Sequence, residues 1–111
     1  MDCIEVDGVK IATDPEGYLL DRRQWSEAVC RYMAKQDHCT LTPVHWQIIY
    51  FLRQYYEDYE HSPAMRVFIK ALRDVIGPEA ANTQNLYELF PYGPAKQATR
   101  YAGLPKPAHC I

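Results

Sequence analysis

The chain has 111 residues, 48% hydrophobic and 23% charged, with a formal net charge of -2. That length suits one domain over 1–111 whose core forms without staples. The weak negative charge excludes a whole-protein field that would gather DNA, RNA or an anionic membrane.

The first residues, Met-Asp-Cys-Ile-Glu, carry neither a basic lead nor a long apolar run, and no stretch approaches the length of a membrane span. The expectation is a cytoplasmic protein without a membrane partner, in a compartment where the four cysteines need not form disulfides. Residues 3–20 read as short strands. Ile4, Val6, Val9 and Ile11 are β-branched and flank Asp7-Gly8, a hairpin turn signal. Asp14-Pro15-Glu16-Gly17 is a second turn, and Tyr18-Leu19-Leu20 a short third strand.

Helices follow. Trp25, Ala28, Val29, Tyr32 and Met33 recur on one helical face, and that helix ends near Gln36 to Cys39. Thr42-Pro43 pairs a cap residue with proline at the first helical position, ahead of a stripe from His45 through Ile48, Ile49 and Leu52 to Tyr56 and Tyr59. Ser62-Pro63 repeats the signal before Met65, Phe68, Ile69, Leu72 and Ile76, and Gly77-Pro78 stops that helix. Asn82 caps a short helix through Leu89, and Pro94 opens another that Gly103 closes. The predicted class is α+β, mainly helical with about five helices, and a small N-terminal antiparallel sheet.

From Leu104 to Ile111 the chain reads Leu-Pro-Lys-Pro-Ala-His-Cys-Ile. Prolines at 105 and 107 forbid helix and favour an extended backbone. Residues 104–111 are therefore expected to form a mobile arm, and Pro105 to Cys110 spans roughly 17 Å when extended. A thiol near the tip of a stiff arm can leave its own domain and enter a partner's site with little entropy to lose. Sulfur transfer between proteins needs such a thiol, because an attacking thiolate must reach the outer sulfur of a donor persulfide. Residues 91–111 hold Lys96, Arg100 and Lys106 and no acid, so the local charge favours a thiolate at Cys110, while the C-terminal carboxylate opposes it.

The run Leu89-Phe-Pro-Tyr-Gly-Pro-Ala-Lys-Gln-Ala-Thr-Arg-Tyr-Ala-Gly-Leu-Pro-Lys-Pro107, ending in Cys110, resembles the C-terminal signature of the TusE/DsrC family. Asp14-x-Glu16-Gly17-Tyr18-Leu19, Trp25-Ser26, Thr42-Pro43-x-His45-Trp46 and Ser62-Pro63-Ala64 extend the likeness along the chain. The resemblance implies a sulfurtransferase acting as a persulfide carrier, with Cys110 as the working thiol and no cofactor or metal. Members of the DsrC branch carry a second cysteine eleven residues before the penultimate one, and this chain has Thr99 there. The resemblance thus implies the TusE branch: sulfur accepted from a TusBCD-like complex and passed to an MnmA-like thiouridylase for the wobble uridine of tRNA.

Lys96 and Arg100, four apart on one helical face, read either as a solvated face or as docking and electrostatic support for a persulfide, with Lys106 beside them. His109 reads as a neutral spacer or a proton carrier. Cys30 is expected to be buried, and Cys39 with His38 or His45 matches no common zinc framework. Two other classes stay open: a DsrC-like subunit of sulfite reduction, and a helix-turn-helix nucleic-acid module around Glu60-His61-Ser62-Pro63 with Arg66, Lys70 and Arg73. Gly93-Pro-Ala-Lys96 is too short for a phosphate loop.

Overall fold

The computed structural model describes residues 2–107; His109 and Cys110 lie outside the described residues. Strands β1 (Cys3–Val6) and β2 (Val9–Ala12) form an antiparallel hairpin in which Ile4 faces Ile11 and Val6 faces Val9. Asp7 and Gly8 both take positive φ, 51° and 80°, as the tight two-residue turn requires. The expected third strand is reduced to a single bridge, Thr13 to Leu19. The cause is local. Asp14 Oδ1 accepts the N–H groups of Glu16 and Tyr18, which closes a turn, and Asp21 then caps a 3-10 turn over Arg22–Gln24 that carries the chain away from the hairpin.

Five α-helices follow among the described residues: α1 (Glu27–Gln36), α2 (Pro43–Tyr59), α3 (Met65–Ile76), α4 (Thr83–Leu89) and α5 (Pro94–Tyr101). The mainly helical α+β class is as expected from the sequence. Ser26 caps α1, so Trp25 precedes the helix rather than opening its apolar face. Thr42 caps α2 with His45 completing a reciprocal box. The third start differs from the reading: α3 begins at Met65, and Ala64 precedes it without a side-chain cap. Glu60 in the left-handed region ends α2, and His61 folds against Tyr55 and Tyr59, so residues 62–64 are spent on the crossing.

Helix α2 packs between α3 and α5, and α5 also touches α1 and α4. The core draws Val29 and Cys30 from α1, Ile48, Ile49 and Leu52 from α2, Phe68 and Leu72 from α3, and Ala98 and Tyr101 from α5. Helix α5 therefore runs through the packed interior, and the segment after it leaves from a buried base.

Candidate functional site

Helix α5 divides its residues by face. Gln97, Ala98, Thr99 and Tyr101 are buried, while Lys96 is exposed and Arg100 half-buried. The inward polar groups form a chain of hydrogen bonds. The backbone N–H of Tyr92 donates to Gln97 Oε1 at 2.8 Å, Gln97 Nε2 donates to Tyr101 Oη at 2.9 Å, and Tyr101 Oη donates to Asp37 Oδ2 at 2.7 Å. Arg100 Nη2 closes the chain with an ion pair to the same carboxylate oxygen. Burial pushes the Tyr101 phenol up from its ordinary value, and its bond to Asp37 adds to the shift.

All of this hydrogen-bonded chain but Tyr101 borders a surface cavity of about 230 Å³ lined by Glu16, Tyr18, Asp37, Tyr92, Lys96, Gln97 and Arg100. Tyr18 Oη donates to the carbonyl of Lys96 at 3.3 Å, tying the N-terminal turn to α5. Lys106, the last cation before the chain's final residues, reaches Glu16 at 2.7 Å on the rim. The structure thus brings Lys96, Arg100 and Lys106 to one place. It gives them different electrostatic roles. Arg100 is compensated by Asp37, and Lys106 is paired with Glu16, whereas Lys96 makes no ion pair among the described residues.

The end of α5 is fully bonded. Leu104 N–H donates to Thr99 O and Gly103 N–H to Arg100 O, a Schellman closure with Gly103 at φ +72°. Two carbonyls remain, and remote side chains take both. Trp25 Nε1 donates to Tyr101 O at 2.7 Å, and Arg53 Nη1 donates to Ala102 O at 2.7 Å. The Arg53 guanidinium also lies 4.1 Å from the Trp25 ring centroid. Leu104 is 1% exposed, so the first residue of the expected arm is packed into the core, and Pro105 is the first exposed position.

Of the three internal thiols, Cys3 is exposed on β1, whereas Cys30 and Cys39 are poorly suited to attack. Cys30 is fully buried, and desolvation pushes its pKa up to about 12. Burial also raises the Cys39 thiol. Cys39 Sγ lies 3.9 Å from His45 Nε2, yet that nitrogen is committed to Leu89 O at 2.7 Å and Nδ1 to the Thr42 N–H at 3.0 Å. Among the described residues, no three metal-ligating groups gather. On α3, Arg66, Lys70 and Arg73 are exposed, while Phe68 and Leu72 face the core. No described helix is long and apolar enough to cross a membrane.

The model for the family described as DsrC like protein matches residues 5–111. The chain belongs to the DsrC-like family. A Haemophilus influenzae relative named sulfurtransferase TusE homolog is 45% identical over 97% of this chain and 99% of its own. The Escherichia coli sulfurtransferase TusE is 47% identical over 95% and 96%. Among solved structures, the solution structure of Allochromatium vinosum DsrC aligns with TM-score 0.90 and 55% identity over 99% of this chain and 98% of that one. The oxidized gamma-subunit of the dissimilatory sulfite reductase from Archaeoglobus fulgidus aligns with TM-score 0.89 and 40% identity over 99% and 100%. The sulfurtransferase class read from the sequence agrees with the names of the curated DsrC-like relatives. Asp37 and Arg53 carried no role in the sequence reading; Gln97 stood there only within the terminal motif, and Trp25 only on an apolar helical face and in the Trp25-Ser26 motif. Gln97 and Tyr101 do sit four apart, a spacing that puts them on one helical face; Asp37 and Arg53 reach α5 only through the fold.

Proposed function

We propose that this protein carries sulfur as a persulfide on Cys110 in the cytoplasm, for 2-thiolation of the tRNA wobble uridine. The carrying observation is a family match that runs to residue 111 and includes Cys110, while Cys30 is fully buried, Cys39 is half-buried, and Cys3 is exposed on the N-terminal hairpin. The chain works as one unit over 1–111. Sulfur arrives when the Cys110 thiolate attacks the outer sulfur of a donor Cys-S-SH. The donor S–S bond breaks, the donor cysteine leaves as a thiolate, and Cys110 holds the sulfur with no net oxidation. The same exchange in reverse hands it to an acceptor thiol. A TusBCD-like complex is the proposed donor and an MnmA-like thiouridylase the acceptor. Lys96, exposed on the rim of the α5 cavity, is the cation suited to an anionic persulfide; Arg100 acts by holding Asp37 and shaping the floor.

Incubation with a persulfide donor followed by intact-mass and peptide mapping tests this. One added sulfur is expected on Cys110 and none after Cys110→Ser, with 2-thiouridine lost from the tRNA of cells carrying that variant. Normal thiolation in those cells sinks the reading. A second reading, a subunit of a sulfite-reducing assembly, is favoured by the 55% identity to Allochromatium vinosum DsrC. Thr99, 2% exposed where the DsrC branch has its second thiol, stands against it. Co-purification with a sirohaem protein would favour that alternative.

A further inference from the structure

A helix end that meets solvent can leave its last carbonyls to water. Here α5 does not. The carbonyls of Tyr101 and Ala102 are taken by an indole 76 residues away in sequence and a guanidinium 49 residues away. Burial pushes Arg53 below its ordinary pKa, so this contact costs desolvation. Trp25 is also pressed against Gly103: a Cβ built there falls 2.7 Å from Trp25 Cβ and 2.8 Å from its Cγ. Trp25 in turn packs at near right angles to Tyr50, ring centroids 5.6 Å apart, and the Arg53 guanidinium lies over the Trp25 ring, 4.1 Å from its centroid. Two bonds, a stacked cation and a glycine without room for a side chain converge where the packed body ends.

We infer that Trp25 and Arg53 are positioning residues for sulfur transfer: they clamp the Tyr101–Leu104 turn, so that the terminal thiol is delivered from a fixed origin. The inference rests on the carrier reading above. A thiol on a tether reacts with a small reagent whatever its origin. Reaction inside a partner's site requires the origin to sit at a set distance from the docked surface, because misplacement by an ångström costs on the order of a hundredfold in rate.

The test uses the full chain with Trp25→Phe, which keeps a ring and loses the N–H, and with Arg53→Gln and Arg53→Lys. Each is checked by circular dichroism to be folded at the assay temperature. Alkylation of Cys110 by iodoacetamide is expected to stay within about twofold of the native rate. Protein-to-protein sulfur transfer is expected to fall on the order of tenfold or more in Trp25→Phe and Arg53→Gln, with partial recovery in Arg53→Lys. Spin labels on Cys3 and Cys110 in a Cys39→Ser background should show a broader distance distribution in the two impaired variants. Native transfer in a folded Trp25→Phe or Arg53→Gln, or an unbroadened distribution, overturns the inference. If native Cys110 accepts no sulfur, the carrier reading fails instead, and the label distances still decide whether the clamp exists.

Discussion

Replacing Gly103 with alanine strikes the base of the tail without altering any charged or hydrogen-bonding side chain. Gly103 sits at φ +72°, where an L-residue costs roughly 1–2 kcal/mol. The new methyl would also lie inside contact distance of Trp25, which is held by its bond to Tyr101 O and by the Arg53 guanidinium. Trp25 must shift, at an overpacking cost of roughly 1–3 kcal/mol that includes weakening of the indole bond. The expected loss is about 3.5 kcal/mol. At about 2.1 cal/mol/K of unfolding entropy per residue, that lowers the melting temperature by roughly 15 °C for a chain of this length. Gly8→Ala is the internal control: φ is +80° there, but nothing lies within 4 Å of the added carbon, so only the backbone cost remains. Thermal and urea melts of the two variants separate the terms. Equal melting temperatures would refute the argument that Trp25 fills the space beside Gly103.

On the carrier reading, which gives Cys110 a chemical and not a packing role, Cys110→Ser is expected to abolish sulfur acceptance while leaving stability within about 0.5 kcal/mol of native. A matching fall in melting temperature would point to a structural thiol instead. His45→Ala removes the bonds to Leu89 O and Thr42 N–H and the edge contact with Phe90 at 5.0 Å. The expected loss is about 2–4 kcal/mol in urea melts, and a loss below about 1 kcal/mol would contradict the geometry. Cys30 gives a pH signature. Its folded thiol keeps its proton up to about 12, while the ordinary thiol value is 9.0, so between them the folded state binds more protons. Its contribution is fully present below pH 9 and is lost as pH rises toward 12, at up to about 1.4 kcal/mol per pH unit. Tyr101, also raised, acts with the same sign at higher pH. Cys30→Ala should flatten the alkaline decline measured by urea melts from pH 9 to 11 by about 1 kcal/mol per pH unit, and an unchanged slope would refute the assignment.

The sequence signals that proved reliable were local and chemical. Asp7-Gly8 made its turn, Thr42-Pro43 and Asn82 made caps, and Gly103 closed α5, because each acts through backbone angles or bonds within a few residues. Ser62-Pro63 failed as a start: the left-handed Glu60 and the His61 ring stack set where α3 begins, and neither lies in the dipeptide. Tyr18-Leu19-Leu20 looked like a strand but is occupied by the Asp14 turn. Around the site, the basic character of residues 96–106 was legible, but the partition of that charge was not. Asp37 neutralises Arg100 from 63 residues away, and no periodicity reports such a contact. Trp25 and Tyr101 could be expected inside as large aromatics; that one caps the other's carbonyl follows only from the crossing of the chain at α5.

The burial of Leu104 separates two properties that a tethered group usually trades against each other. The buried core of the described residues ends at that side chain, the Lys106–Glu16 ion pair ties the following residues to the surface, and on the proposed carrier reading the sulfur's reach is set beyond Leu104. Each residue inserted after Pro107 would add roughly 3.3 Å to an extended span. On that reading the tether's length can be matched to the depth of a receiving cleft without changing any residue packed up to Leu104.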